Sequence, residues 1–264
     1  MPQVFKRLIP LLVVFIIPSL HAQAPSPEER GLEIVTEADR RDQGWQDSRV
    51  DLRMVLKNAH GDVSERELRS LSLEVDGDGD KSLTIFDEPP DVKGTAFLSF
   101  SHPVGADDQW IYLPALKRVK RISSRNKSGP FMGSEFAYED MSSFELEKYT
   151  YRYLEDETLD GTETFKIEST PVDEHSGYSR LITWYDQQEY RPQRIDYYDR
   201  KNSLLKTLTF DDYQRYLEKY WRAQTMSMVN HQTGKSTVLH WGTYQFQTGL
   251  DDQDFNRNTL KRIR

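Results

Sequence analysis

The residues best placed to do chemistry occur in short polar runs. Asp76-Gly77-Asp78-Gly79-Asp80 carries the alternating carboxylates of a calcium loop. Such a loop needs glycine at its sixth position and a bidentate glutamate at its twelfth. Those positions hold Lys81 and Asp87, and strand-like patterns flank the run, so it reads as a solvated hairpin turn. Beyond the first 22 residues the histidines are His60, His102, His175, His231 and His240, with no pair at zinc-site spacing. There is no cysteine to act as a nucleophile. Ser-x-x-Lys occurs at 124–127 and 203–206 without the companion motifs of a penicillin-binding site. No Gly-x-Ser-x-Gly elbow and no glycine-rich phosphate loop is present. Acid pairs such as Asp211-Asp212 and Asp251-Asp252 are expected by chance among 43 acidic residues. The pattern predicts neither an enzyme, nor a cofactor, nor a metal centre.

Two other stretches suit binding. The first is an aromatic strand, with Trp110 and Tyr112, that runs into Lys117, Arg118, Lys120 and Arg121. This is the densest positive run in an acidic chain. It reads either as an outer edge strand whose basic residues deter aggregation, or as a docking site for an acidic partner or an anionic lipid headgroup. The second, residues 128–141, places Phe131, Met132, Phe136, Tyr138 and Met141 on a glycine-punctuated segment. Apolar, adaptable side chains of this kind could form a lid over a lipid cavity or plug one end of the core.

The elements around these stretches are mostly strands. A helix is expected over 26–42: Ser26 caps it, Pro27 starts it, Glu28 and Glu29 sit in its first turn, and Leu32, Val35 and Ala38, with Ile34, give it an apolar face. From Val50 onward apolar and polar residues alternate. Strands are expected near 50–56, 71–75, 83–86, 95–100, 110–113, 149–154, 164–169, 179–185, 193–198, 204–210, 220–229 and 236–246. Turn residues punctuate them at His60-Gly61, Asp160-Gly161, Ser176-Gly177, Asn202 and Gly234. A mainly β fold with few helices follows: one large antiparallel meander that must curl, split or close. Residues 124–148 break the pattern as a long loop with a short helix around 139–146. A loop of that length inside a compact domain is usually functional.

The N-terminus has a secretory leader's organisation. Lys6 and Arg7 precede an apolar run over 8–17, then small residues up to Ala22 and Ala24. The run is too short for a membrane span, which takes roughly 20 residues. A signal peptide over 1–22, cut after Ala22 or Ala24, leaves a single domain over 25–264 with no transmembrane segment, working in the periplasm. Losing Lys6 and Arg7, with no acid in the leader, moves the formal net charge from −8 to −10. That charge argues against nucleic acid as a partner. Without cysteine the chain has no disulfides and depends on an ordinary packed core.

The stretch from Trp110 to Ile122, the segment Phe131-Met132-Gly133-Ser134-Glu135-Phe136-Ala137-Tyr138-Glu139-Asp140-Met141, and the later Arg191-Pro192, Asp199-Arg200, Lys206-Thr207-Leu208 and Tyr220-Trp221 elements resemble the periplasmic outer membrane lipoprotein-sorting protein family. The resemblance covers about residues 28–264. Members resemble the lipoprotein carrier LolA and the receptor LolB. It implies an incomplete antiparallel β-barrel, strongly curled, with helices or a loop as a lid over an apolar cavity. It also implies a periplasmic carrier that shields a lipid, lipoprotein acyl chains or other hydrophobic cargo on the way to the outer membrane. An exporter of the resistance-nodulation-division superfamily or an outer-membrane receptor would be its partner. The expected cargo and lid residues are Phe97, Phe100, Trp110, Tyr112, Phe131, Met132, Phe136, Tyr138 and Met141. The expected docking residues are Lys117, Arg118, Lys120 and Arg121. The alternative is an interaction protein or stress sensor that uses the same fold without cargo.

Overall fold

The computed structural model describes residues 24–262. The leader expected over 1–22 lies outside them. One α-helix, α1 (Pro27–Asp42), opens the fold. Ser26 Oγ accepts from the Glu29 amide at 3.1 Å and the Ser26 amide donates to the Glu29 carboxylate at 2.8 Å, closing a capping box. Ile34 and Val35 are buried against Tyr151, Phe165, Ile167 and Tyr185. Leu32, expected on the apolar face, is exposed. A Cβ at Gly31 would lie 2.7 Å from the Tyr153 amide nitrogen. Glycine is therefore what lets the helix approach the strand below it so closely.

Fourteen strands follow: β1 (Asp47–Lys57), β2 (Val63–Leu73), β3 (Lys81–Glu88), β4 (Ala96–Phe100), β5 (Asp108–Leu113), β6 (Arg118–Ile122), β7 (Tyr149–Leu159), β8 (Thr162–Pro171), β9 (Tyr178–Asp186), β10 (Pro192–Asp199), β11 (Leu204–Tyr216), β12 (Tyr220–Asn230), β13 (Ser236–Trp241) and β14 (Gln245–Phe246). They form one antiparallel sheet in the order β6-β5-β4-β3-β2-β1-β13-β12-β11-β10-β9-β8-β7, with β14 also paired to β1. Two meanders thus run outward from a central pairing of β1 with β13, in which Leu52 faces Trp241 and Lys57 faces Ser236.

The strongly curled, incomplete barrel is not observed: the sheet is open, and β6 and β7 are its ends. The chain that joins those ends, residues 123–148, has to pass over one face of the sheet. Its aromatic side chains pack into the core of that face. The helix expected around 139–146 is two short 3-10 turns, Tyr138–Met141 and Leu146–Lys148. Several strands also differ from expectation: β6 adds to those expected, and β1, β7 and β11 run further. β2 spans Val63–Leu73 rather than 71–75, and the run over 236–246 divides into β13 and β14. Gly242 marks that division; its amide donates to the Asp51 carbonyl at 2.8 Å.

The sheet has two apolar faces. Leu52, Met54, Leu68, Phe86, Phe97, Ile111, Leu208, Met228 and Leu239 form the larger core with Phe131 and Phe136. The opposite face of β3 to β5 carries Leu83, Ile85, Leu98 and Trp110, covered by Leu250, Phe255 and Leu260 from the C-terminal segment. No described helix is long and apolar enough to cross a membrane.

Candidate functional site

The segment 128–141 is a compact knot seated on the larger apolar face. Pro130 and Ala137 form an isolated antiparallel bridge, and the Phe131 amide donates to the Phe136 carbonyl at 2.7 Å. Ser134 Oγ donates to the Phe131 carbonyl at 2.7 Å, closing the tip. Met132 and Gly133 at that tip have left-handed backbones, with φ of 49° and 79°. Knotting the chain this way satisfies its own backbone groups, so its apolar side chains can enter the core. Phe131 is fully buried. Its ring centroid lies 5.1 Å from Phe97, 5.7 Å from Tyr138 and 5.9 Å from Phe86.

A ring of polar contacts holds the knot to strands from both halves of the sheet. Arg66 on β2 donates to the Met132 carbonyl at 2.6 Å, and Gln109 on β5 to the Tyr138 carbonyl at 2.9 Å. Across the sheet, Asn230 donates to the Glu135 carboxylate at 2.7 Å, and the Glu135 amide donates to Thr237 Oγ1 at 3.0 Å. Glu139 accepts from Ser176 Oγ and from the Gly177 amide, each at 2.8 Å. Gly177 is needed there: a Cβ would come within 2.7 Å of Ser128 Cβ and 2.9 Å of the Glu139 carboxylate.

The deepest of these contacts is an ion pair. Lys206 Nζ on β11 lies 2.6 Å from Asp140 Oδ2 and donates to the Glu135 carbonyl at 2.9 Å. Asp140 also accepts from the Ala137 amide at 2.6 Å and from Tyr178 Oη at 2.8 Å. The Lys206 ammonium stands 5.1 Å from the ring centroids of both Tyr178 and Tyr197. Among the described residues this is the only ion pair with both side chains less than a tenth exposed. Burial raises the Glu139 carboxyl, and the neighbouring Asp140 adds to the shift. Burial likewise pushes the Tyr178 and Tyr197 phenols well above their ordinary range. Lys206 also closes the second Ser-x-x-Lys run, but its ammonium is directed to Asp140, not to a serine.

The structure brings together Phe97, Phe131, Met132, Phe136, Tyr138 and Met141 on one face. Phe100, Trp110 and Tyr112 lie on the other, against the C-terminal segment. The register explains the split. Phe97 pairs with Ile111 and Leu98 with Trp110, and successive side chains point to opposite faces. Lys117, Arg118, Lys120 and Arg121 are exposed on and beside β6, far along the ladder from Lys206. Sequence reasoning gave no role to Lys206, Asp140 or Tyr178. A signal for Lys206 was available, because it shares its strand phase with Leu208 and Phe210 and so faces the core. Among the described residues no group of three or more His, Cys, Asp and Glu could hold a metal ion.

A protein-family model described as "Uncharacterized protein" matches residues 78–262. No curated protein matches the chain. Among solved structures it is similar to an outer membrane lipoprotein-sorting protein domain from Vibrio parahaemolyticus. That match has 62% identity and a TM-score of 0.88, over 89% of this chain and 100% of that one. A DUF1329 family protein from Desulfovibrio piger is 31% identical, with a TM-score of 0.85 over 89% of this chain and 100% of that one. A LolA superfamily protein from Nitrosomonas europaea, at 20% identity and a TM-score of 0.70 over 89% and 99% of the two chains, shares the fold. With one α-helix and a large antiparallel sheet among the described residues, and a relative so close over nearly all of them, the chain belongs to the outer membrane lipoprotein-sorting protein family and has a LolA-like fold.

Proposed function

We propose that the protein is a periplasmic carrier, delivered by a signal peptide over 1–22, whose single domain shields a lipid, lipoprotein acyl chains or other hydrophobic cargo in transit to the outer membrane. One observation carries the reading: an aromatic segment, knotted on itself and fixed to the sheet by buried rings and a surrounding set of polar contacts, occupies the larger apolar face. In this reading Phe131, Met132, Phe136, Tyr138 and Met141 lift from the face as one unit when cargo enters and then close over it as its lid. Each methylene shielded from water is worth about 0.8 kcal/mol, so one long chain supplies enough affinity to drive the exchange without catalysis. Phe97 belongs to the cargo wall, and Phe100, Trp110 and Tyr112 do not. The basic residues Lys117, Arg118, Lys120 and Arg121 serve docking, with an exporter of the resistance-nodulation-division superfamily or an outer-membrane receptor as the partner.

The test is native mass spectrometry of the full protein purified from its own periplasm, followed by lipid extraction. An acyl-containing species lost on changing Phe131 and Phe136 to serine supports the carrier. A clean apo mass with no uptake of added phospholipid or lipopeptide removes it. A second reading has its own observation. The face is already filled, with Phe131 fully buried and Phe136 nearly so, as an interaction protein or stress sensor without cargo would have it. The apo result favours that reading.

A further inference from the structure

β6 is the last strand at one end of the ladder. β5 pairs along one side of it, and no described strand pairs along the other. Free edges invite further strands, and proteins block them with proline, bulges, covering helices or charge. At the other end of this sheet α1 packs against β7, with Gly31 at the backbone of Arg152 and Tyr153 and its apolar side chains on the face of β7 to β9. No described α-helix or strand lies along the outer side of β6. Residues 118–122 contain no proline, and their register with β5 runs without a bulge from Leu113↔Arg118 to Gln109↔Ile122. The strand is short, and its exposed residues carry charge of one sign: Arg118, Lys120 and Arg121 are exposed, and so is Lys117 before them. Arg121 contacts Asp108 on β5, while among the described residues no ion pair takes up Lys117, Arg118 or Lys120. The short turn Leu260–Arg262 lies against β6 and adds the exposed Lys261 and Arg262.

A guard of one sign is selective. It repels a second β6, which would set like charges opposite one another, and it repels basic strands. It does not repel an acidic one. We infer that β6 is a strand-addition site for an extended acidic segment of a partner protein. The open main chain of β6 supplies the hydrogen bonds, and Lys117, Arg118, Lys120 and Arg121 choose the sign of the partner. The inference names the partner chemistry for the docking role proposed above and does not depend on the cargo.

The probe is a synthetic peptide of about eight residues alternating Glu with Val and Thr, the length of a typical strand, added to the full protein. A peptide with Lys in place of Glu and vesicles containing phosphatidylglycerol serve as comparisons. Fluorescence anisotropy gives affinity, and hydrogen exchange reads the amides of residues 118–122. The acidic peptide is expected to bind at least about tenfold tighter than the lysine peptide and to slow exchange in β6. The Arg118→Glu/Lys120→Glu variant, shown folded by circular dichroism, is expected to lose that binding while its lipid content stays unchanged. Three results would each overturn the inference: binding without protection of 118–122, equal binding of both peptides, or binding of vesicles alone. Protection that grows with protein concentration in the absence of peptide would assign the edge to a second copy instead. A change in lipid content alone bears only on the carrier reading.

Discussion

Lys206 of β11 and Asp140 of the connecting segment form a 2.6 Å ion pair with side chains only 4% and 6% exposed. The pair ties the segment joining the two ends of the sheet to the middle of its second half. A buried pair of this kind adds little net stability, because both charges have been taken out of water. Breaking it on one side is costly, because the other charge is then buried alone. The contact therefore acts as a fastening for the segment more than as a source of stability.

Replacing Lys206 with Met, or Asp140 with Asn, is expected to destabilise the fold, by about 3–5 kcal/mol for the lysine change, which strands the carboxylate. The double variant is expected to cost clearly less than the two single changes combined. Urea unfolding of all four proteins measures this, and simple additivity would mean that the two side chains do not act as a pair.

Phe131→Ala and Trp110→Ala each remove a buried ring, and each is expected to cost about 3–5 kcal/mol. They are expected to differ in cargo. Phe131 lies on the face with the knotted segment and Trp110 on the face under Leu250, Phe255 and Leu260. Lipid content by mass spectrometry is expected to fall for the Phe131 variant and to stay constant for Trp110. Equal losses would place the cargo elsewhere.

Gly177→Ala introduces a Cβ 2.7 Å from Ser128 Cβ and 2.9 Å from the Glu139 carboxylate. Overpacking of this kind is expected to cost about 1–3 kcal/mol. Hydrogen exchange should show faster opening over residues 128–141 than over β1 and β13. Uniform acceleration would mean that the segment opens only with the whole domain.

Asp80 before β3 and Glu145 before the Leu146–Lys148 turn meet at one end of the sheet. Burial, together with neighbouring carboxylates, pushes Asp80 up to about 6 and Glu145 up to about 7, from ordinary values of 3.8 and 4.5. Between about pH 4 and pH 7 the folded chain therefore holds more protons at these groups than the unfolded chain does, and their contribution to stability falls as the pH rises. Glu145→Gln is expected to flatten that part of the profile and to stabilise the protein at pH 8 by on the order of 1 kcal/mol. Thermal melts from pH 4 to pH 8 measure it, and an unchanged slope would remove Glu145 from the account.

Much of this architecture could be read from local pattern. The alternation of Val50, Leu52 and Met54 with charged residues identifies β1, because one face of that strand is buried and the other wet. Ser26, Pro27 and Glu29 mark the start of α1, because a helix leaves its first amides without partners and these residues supply or avoid them. The break in periodicity over 124–148 identified the segment that crosses the sheet. β2 was misplaced because its exposed first half, Val63 to Glu67, carries no burial pattern.

Spacing along the chain was enough to place most of the strands, the α-helix and the aromatic segment. Tertiary structure was needed to settle which apolar residues share a face, as the division of Phe97 from Trp110 shows. That depends on strand register, and a slip of one residue exchanges the two faces. It alone joined Lys206 to Asp140, 66 residues apart, because no local rule specifies which strand a distant loop will meet. It also set β6 at an open end of the ladder, as one reading of its basic residues had it, since pairing is what makes a strand an edge.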